Sequence, residues 1–506
     1  MTNISRRLPS GASSLLRIFS SKPKADVAAP PQPQPRLQQE VGLYRRLTDL
    51  WCTDGEVTNA INEYIKEGKT VRKVELEKYI KDFRRFKRYR HALEIGEWME
   101  SQKLIFKNKD HAIHLDLLSE VKGIAAAENY FNGLPLSRRV SCTYGALLKG
   151  YCDEKMSDKA LDLFGKMVDE NMIVSPLPFN HLMTMYIKLG QPENAVRLEE
   201  EMKKANIHPT TSTYNLLMNG YSLLNDIEGV EGIFEEMITH NSELCNWTTY
   251  SNLANIYIKA GDQEKAKLAL EKLEKVMGVH ERDAFHFLIS LYTRISDLDN
   301  VRRVWESLKS NLNVTWNKSY LIMLRSLDNL DDMEGMKECF EEWESVRSSY
   351  DVRLANTVIG AYLRRDMLEE AESVLQSAVD KSGGLLFHAW ENLMTCHLKK
   401  HHIKQALQIM ETATASKARD NGWEPRRDTI DGFLDYFEQE SDASSAEKFY
   451  ELMKRIDCVD SHLYESLLRT YLIAGRKLPD VRSRIERDAV EINSELEKLV
   501  ASVSLG

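Results

Sequence analysis

Six aromatic residues recur through the middle of the chain at nearly constant intervals: Tyr144, Phe179, Tyr214, Tyr250, Phe285 and Tyr320. Their spacings are 35, 35, 36, 35 and 35 residues. A second aromatic follows the first five of them by seven residues, at Tyr151, Tyr186, Tyr221, Tyr257 and Tyr292. Seven residues is two helical turns, so each pair lies on one face of one helix. Sixteen residues after the leading aromatic comes a small residue, at Ala160, Ala195 and Ala266, and the same register gives Ala92, Ala127, Ala371, Ala406 and Ala446. A small side chain there lets a second helix cross the first closely. Four residues further on stand Phe131, Phe164, Phe234, Trp305, Phe340 and Tyr450. The repeating element is therefore two amphipathic helices joined by a short turn. Gly190 and Gly261 fall in that turn, where glycine makes a positive φ cheap. Such a pair cannot bury a face alone, and only stacked copies make a core.

Extending the register gives repeat starts at Lys73, Asn108, Ser141, Pro176, Thr211, Trp247, Arg282, Asn317, Val352, Phe387, Arg427 and Ser461. Most repeats are 35 residues long; the tenth has 40, with an insertion placed within Ala415–Pro425. The pattern predicts an all-α solenoid of about twelve two-helix repeats over residues 73–480, best preserved at 141–281. A helical N-terminal cap is expected over 41–72 and a charged C-terminal capping helix over 481–506. An array also explains how 506 residues fold, since a single core rarely grows past about 250–300. With 42% apolar and 29% charged residues, bulk disorder is excluded. No run of about 18 apolar residues exists, so no membrane-spanning helix is expected. The seven cysteines are scattered and odd in number, which fits a reducing compartment.

Residues 1–25 contain no Asp or Glu, and carry Arg6, Arg7, Arg17, Lys22 and Lys24 among Ser, Leu and Phe. A basic, amphipathic, acid-free start reads as a mitochondrial transit peptide over 1–19, with matrix-type cleavage after Phe19. A Pro/Gln-rich spacer, expected to be disordered, follows over 20–40.

The 35-residue unit, as in TSTYNLLMNGYSLLNDIEGVEGIFEEMI (211–238), resembles a pentatricopeptide repeat. The fourth position is mostly Tyr or Phe, unlike the tetratricopeptide pattern with Trp there and Gly at the eighth. The stretch 55–99 is similar to the N-terminal part of plant mitochondrial proteins of the plain, P-type class. The resemblance implies a right-handed superhelix in an organelle that binds single-stranded RNA, one base per repeat. It also implies roles. The fifth and last residues of each repeat read the base edge, and second-position residues of neighbouring repeats sandwich the base. A Lys or Arg at the thirteenth position approaches phosphate.

Carried onto this sequence, those roles fall on Asn180 with Thr210, Asn215 with Asn246, and Ser251 as base-binding residues. Their side chains can donate and accept hydrogen bonds, as base reading requires. Ala112, Trp316 and Leu321 offer no such edge. From Asp283 onward every second position is charged or His, which confines base reading to about 141–281. The alternative for Asn180 and Asn215 is a solvated polar face of the first helix.

Thirteenth positions are basic at Arg85, Lys188, Lys259, Arg294, Arg364 and Lys399. At 68 Lys and Arg in 506 residues, chance would put fewer than two in twelve such positions. On a chain of net charge −9, one periodic basic row is compatible with a phosphate track. It is equally what a helix C-terminus favours against its macrodipole. The densest basic stretch is 69–90, interleaved with Phe83, Phe86 and Tyr89, and it reads either as RNA contact or as a solvated face.

No GxxxxGK[ST] loop and no CxxC pair occurs. Neither a cofactor nor a metal is expected, and His397 and His401, with Cys396 and His402 beside them, read as packing residues. Three function classes stay open, with an enzyme a distant fourth. One is a non-catalytic RNA-binding protein acting in transcript processing, stability or translation. Another is a structural component, such as one attached to the mitochondrial ribosome, with protein partners on its C-terminal repeats and little base reading. The third is a purely protein-binding scaffold resembling tetratricopeptide arrays.

Overall fold

The computed structural model describes residues 42–50, 56–346, 350–382, 386–415, 423–478 and 480–505. The expected transit peptide and spacer lie outside them, as does most of the tenth-repeat insertion. Among the described residues there are helices and turns and no strand. Two compact units divide at Arg138 and Arg139.

The first unit holds two short helices, Leu43–Asp49 and Val57–Lys66, and then repeats 1 and 2. The second unit holds repeats 3 to 12. Each first helix begins at the residue the register names, save in repeat 4, where Pro176 is the N-cap and the helix runs Leu177–Lys188. Within the second unit the first helices of repeats 3 to 11 pack on their own second helices, and successive first helices pack on one another. That is the connectivity of a solenoid, in which each repeat contacts only its neighbours.

Local chemistry repeats with the helices. The fifteenth residue has a positive φ in every repeat but the second, as at Lys87, Lys155, Asn225, Ser296, Asp331, Asp366, His401 and Ser441. Only Gly190, Gly261 and Gly475 meet that demand without a Cβ. The next residue is often an aspartate that caps the second helix. Asp226, Asp262, Asp297, Asp332 and Asp442 accept from the N–H three residues on, at 2.8 to 3.1 Å.

The eight register alanines are all buried, with Ala446 the most exposed at 3%. Where the register lacks alanine, Val230, Val301 and Met336 are equally buried. Repeats are joined by edge-on aromatic pairs. The bulky residue of one second helix meets the leading aromatic of the next repeat: Phe164 with Phe179, Phe234 with Tyr250, Trp305 with Tyr320, and Tyr450 with Tyr464. Their centroids are 5.1 to 5.9 Å apart, in the range where such pairs add to burial.

The C-terminus corrects the expected single capping helix. Residues 481–506 hold two helices, Val481–Arg487 and Ser494–Leu505, of which the longer packs on Ser461–Ile473. The break follows from Asp488 and Ala489. Ala489 takes a positive φ, and the Asp488 carboxylate is drawn inward to the hydroxyls of Tyr450 and Tyr464 and to Lys454 Nζ.

Candidate nucleic-acid interface

Positions 2, 6, 9 and 13 of a repeat are spaced by four, three and four residues, so they form one stripe on the first helix. In repeats 4, 5 and 6 the stripes read Leu177, His181, Thr184, Lys188; Ser212, Leu216, Asn219, Leu223; and Thr248, Asn252, Asn255, Lys259. None of these residues is buried. Across their C-terminal halves runs an open groove of about 750 Å³. Lys188 and Lys259 contribute to it, with Thr184, Asn219, Asn252 and Asn255 among them, and no Asp or Glu lines it. The lysines sit on the last turns of their helices, so they also offset the macrodipole. The two readings of the basic row are thus compatible at these positions.

The base-reading candidates fall into two groups. Asn215 Nδ2 lies 3.4 Å from Thr248 Oγ1, which donates to Asn246 Oδ1 at 2.6 Å. Asn246 Oδ1 also accepts the Thr248 N–H at 2.9 Å, capping the helix Trp247–Ala260. The fifth residue of repeat 5, its last residue and the second residue of repeat 6 therefore form one hydrogen-bonded set. Asn252 Nδ2 adds to it by donating to the Asn215 carbonyl at 3.2 Å. Asn180 and Thr210 are not joined in this way. Asn180 is only 8% exposed, which rules out the solvated-face alternative for it, and Thr210 pairs its hydroxyl with Thr213 at 3.0 Å. Ser251 is buried within the first helix of repeat 6.

Asn180 Oδ1 and Asn215 Oδ1 are buried and lack a hydrogen-bond partner among the described residues. A third such oxygen belongs to Asn356, at the fifth position of repeat 9, beyond the segment where base reading is expected. A buried unpaired amide oxygen is costly, by about 1–3 kcal/mol, and calls for a donor from outside.

The thirteenth-position row is less uniform than its spacing. Lys188 reaches back to Asp153 Oδ1 at 3.0 Å, Arg364 pairs with Asp328, and Arg294 bonds to Asn255 Oδ1. These three bridge to the preceding repeat. No ion pair involves Arg85, Lys259 or Lys399 among the described residues. Sequence reasoning missed the ninth-position row, Thr184, Asn219 and Asn255, and the bridging role of Thr248. The signal was there: a polar residue in the same register on three consecutive first helices.

The family models that match are the PPR repeat, at residues 142–172, 212–242 and 354–382, and the PPR repeat family, at 178–222. A tetratricopeptide repeat model matches 248–276. A mitochondrial pentatricopeptide repeat-containing protein of Arabidopsis thaliana is 40% identical over 462 residues, covering 91% of this chain and 92% of its own. This chain belongs to the pentatricopeptide repeat family. Another pentatricopeptide relative, the large ribosomal subunit protein mL101 of Arabidopsis thaliana, is 37% identical and covers 92% of this chain and 95% of its own. The crystal structure of the pentatricopeptide repeat protein PPR10 from maize aligns over 91% of this chain and 70% of that one, at 15% identity and a TM-score of 0.47. The hydrogen-bonded set Asn215–Asn246–Thr248 occupies the fifth and last positions of repeat 5 and the second position of repeat 6. Lys188 and Lys259 stand one helix to either side of repeat 5.

Proposed function

We propose that this pentatricopeptide repeat chain binds single-stranded RNA in mitochondria and acts without catalysis in transcript processing, stability or translation. The observation that carries this reading is the groove across repeats 4 to 6. A chain of net charge −9 keeps every carboxylate out of it and supplies two lysines and four carboxamides. Lysines give sequence-independent affinity for phosphate, and carboxamides discriminate base edges. Within the interface, Asn215 and Asn246 face a base, and Asn180, Thr210 and Ser251 hold the corresponding positions of the neighbouring repeats, Asn180 and Ser251 behind that surface. Lys188 and Lys259 carry the phosphates, with Arg85, Arg294, Arg364 and Lys399 as weaker members of the row. Residues 1–19 act as the transit peptide and 20–40 as the spacer, directing the chain to the matrix. The cap over 41–72, the array over 73–480 and the segment 481–506 complete the organisation.

A second reading, attachment to the mitochondrial ribosome, is favoured by one finding, the 37% identity to a protein named as a large ribosomal subunit component. Crosslinking and immunoprecipitation from isolated mitochondria separates the two. A footprint on one or a few transcripts supports the first reading. Crosslinks on ribosomal RNA with co-sedimentation support the second. No RNA above background removes both.

The interface itself is tested by variants. Lys188→Ala with Lys259→Ala should weaken all RNA sequences alike, by about tenfold, and reduce the salt slope by roughly 1.4. Asn215→Ala should leave the slope alone and relax selectivity at one nucleotide. Unchanged affinity in the first variant would remove the groove from the interface.

A further inference from the structure

The second helices carry a groove that RNA binding does not use. It runs between the second helices of repeats 9 and 10, Leu368–Ser382 and Ile403–Ala415, and has a volume of about 450 Å³. It shares no residue with the groove on the first helices of repeats 4 to 6. One wall is the stripe Glu369, Glu372, Gln376 and Val379. The other is the stripe Gln405, Gln408, Ile409 and Thr412. Spacings of three and four residues keep each stripe on one helix face. From Glu369 to Val379 the trough is about 15 Å long, roughly three helical turns.

The register explains the space. The bulky position that Phe164, Phe234, Trp305 and Tyr450 fill elsewhere is held in repeat 9 by Leu375. The leading aromatic of repeat 10, Trp390, therefore has no ring from repeat 9 against it among the described residues, and its ring contact is with Phe387 of its own helix. Leu375 and Trp390 close the bottom of the groove and are themselves covered, at 6% and 1% exposed. The apolar surface that a ligand reaches is Val379 and Ile409, both half-buried, one on each wall. The charge is one-sided. Among the described residues no Lys or Arg lines the groove. Glu372 lies 2.8 Å from His397 Nε2, whereas Glu369 and its neighbour Glu370 are exposed and join no ion pair among the described residues.

A nucleic acid would bring phosphates against uncompensated carboxylates, which like-charge repulsion disfavours. An added strand would find no backbone groups to pair with, because both walls are helices bonded internally. A helix matches the length of the trough and lays one apolar stripe along it. Positive charge on that helix answers the acidic end at Glu369, where nothing in the chain does so. We propose that this groove docks a basic amphipathic helix of a partner protein, with apolar side chains on Val379 and Ile409 and a Lys or Arg at Glu369. Such docking is independent of how the chain meets RNA, since the two grooves have no residue in common.

The test selects a displayed library of peptides of about 15 residues, four helical turns, on the purified full chain. Selected peptides should carry net positive charge and apolar residues at i, i+3, i+4 and i+7. Each is then titrated, with a fluorescent label, against the chain and two variants. Ile409→Trp fills the groove from its half-buried wall. Glu369→Lys with Gln405→Lys reverses the acidic end on exposed residues, so it tests the site even if the first variant fails to fold. Affinity that falls about tenfold or more in the variants supports the docking. Failure to select basic amphipathic peptides, or binding indifferent to the charge reversal, overturns it. Displacement of the peptides by a single-stranded RNA oligonucleotide would give the groove to RNA and overturns it equally. Affinity for that oligonucleotide should be intact in both groove variants and lost in the Lys188→Ala and Lys259→Ala variant. Failure of the helix site and failure of RNA binding are therefore read separately.

Discussion

Ser296 joins the two helices of repeat 7 at φ 59, a conformation that costs an L-residue roughly 1–2 kcal/mol and glycine little. Ser296→Gly should therefore stabilise the chain by about 0.5–1 kcal/mol, the gain reduced by the greater freedom of glycine in the unfolded state. Chemical denaturation followed by circular dichroism checks it, and a loss of stability would show that the serine side chain supports the turn. Lys155, at φ 58 in repeat 3, should respond in the same sense. Gly190 and Gly261 pointed to this turn, but the requirement extends to repeats where the sequence shows Lys, Asn, Asp, His or Ser. Those residues hide the positive φ because Lys and Ser have no special claim on it and the other three are common elsewhere. Asn, Asp and His are the ordinary side chains enriched at such a φ.

At the scale of the element, the informative case is the C-terminal pair of helices. Asp488 is 5% exposed at its side chain and accepts from Tyr464 Oη at 2.5 Å, from Lys454 Nζ at 2.7 Å and from Tyr450. The Arg484 guanidinium lies 3.7 Å from the Tyr450 ring centroid and pairs with Glu447. Burial opposes ionisation of Asp488, but the hydrogen bonds from Lys454, Tyr450 and Tyr464 outweigh it and hold its carboxyl below the usual range. A depressed carboxyl pKa contributes stability above about pH 4, and that contribution is lost as pH falls through the folded value. Asp488→Ala strands two tyrosine hydroxyls and a lysine, and should cost about 2–3 kcal/mol in this segment. Hydrogen exchange over Ser461–Leu505 should accelerate while repeats 3 to 6 stay protected. Uniform acceleration would mean that the array unfolds as one body. The charged character of 481–500 was legible in the sequence. That one of its carboxylates turns inward was not, because its partners lie 24 and 38 residues away.

The whole molecule has a pH response that follows from buried histidines. His114 and His286 are 4% and 5% exposed, and burial lowers each to about 4. A histidine with a depressed pKa contributes its full stability above the unfolded value near 6.5 and loses it as pH falls from there toward 4. Melting temperature should therefore fall between pH 6.5 and 4, and His286→Gln should flatten part of that fall. An unchanged profile in the variant would assign the acid response elsewhere. A second whole-chain property is the series of ion pairs between successive second helices. Lys203 with Glu236, Arg303 with Glu274, Lys309 with Glu342, and Lys381 with Glu344 stand at 2.7 to 3.1 Å. Each is worth little when exposed and is screened by salt. Raising ionic strength should thus shift stability far less than it shifts RNA affinity, where several phosphates act together.

Periodicity alone determined the helix pair, its register, the first-helix starts and the buried alanines, because helical spacing and stacking leave a sequence with period 35 few alternatives. It also determined which faces carry Asn180, Asn215, Lys188 and Lys259. Tertiary structure decided which of those groups remain available. Lys188 and Lys259 have the same register position, yet Asp153 from the preceding repeat reaches only Lys188. Asn246 looks free in the sequence and is a helix cap bonded to Thr248 in the structure. His114 packs closely on the second helix of the preceding repeat because Gly96 there carries no side chain. Such outcomes depend on distances between residues of adjacent repeats, and periodicity specifies the order of those repeats but not the space between their side chains.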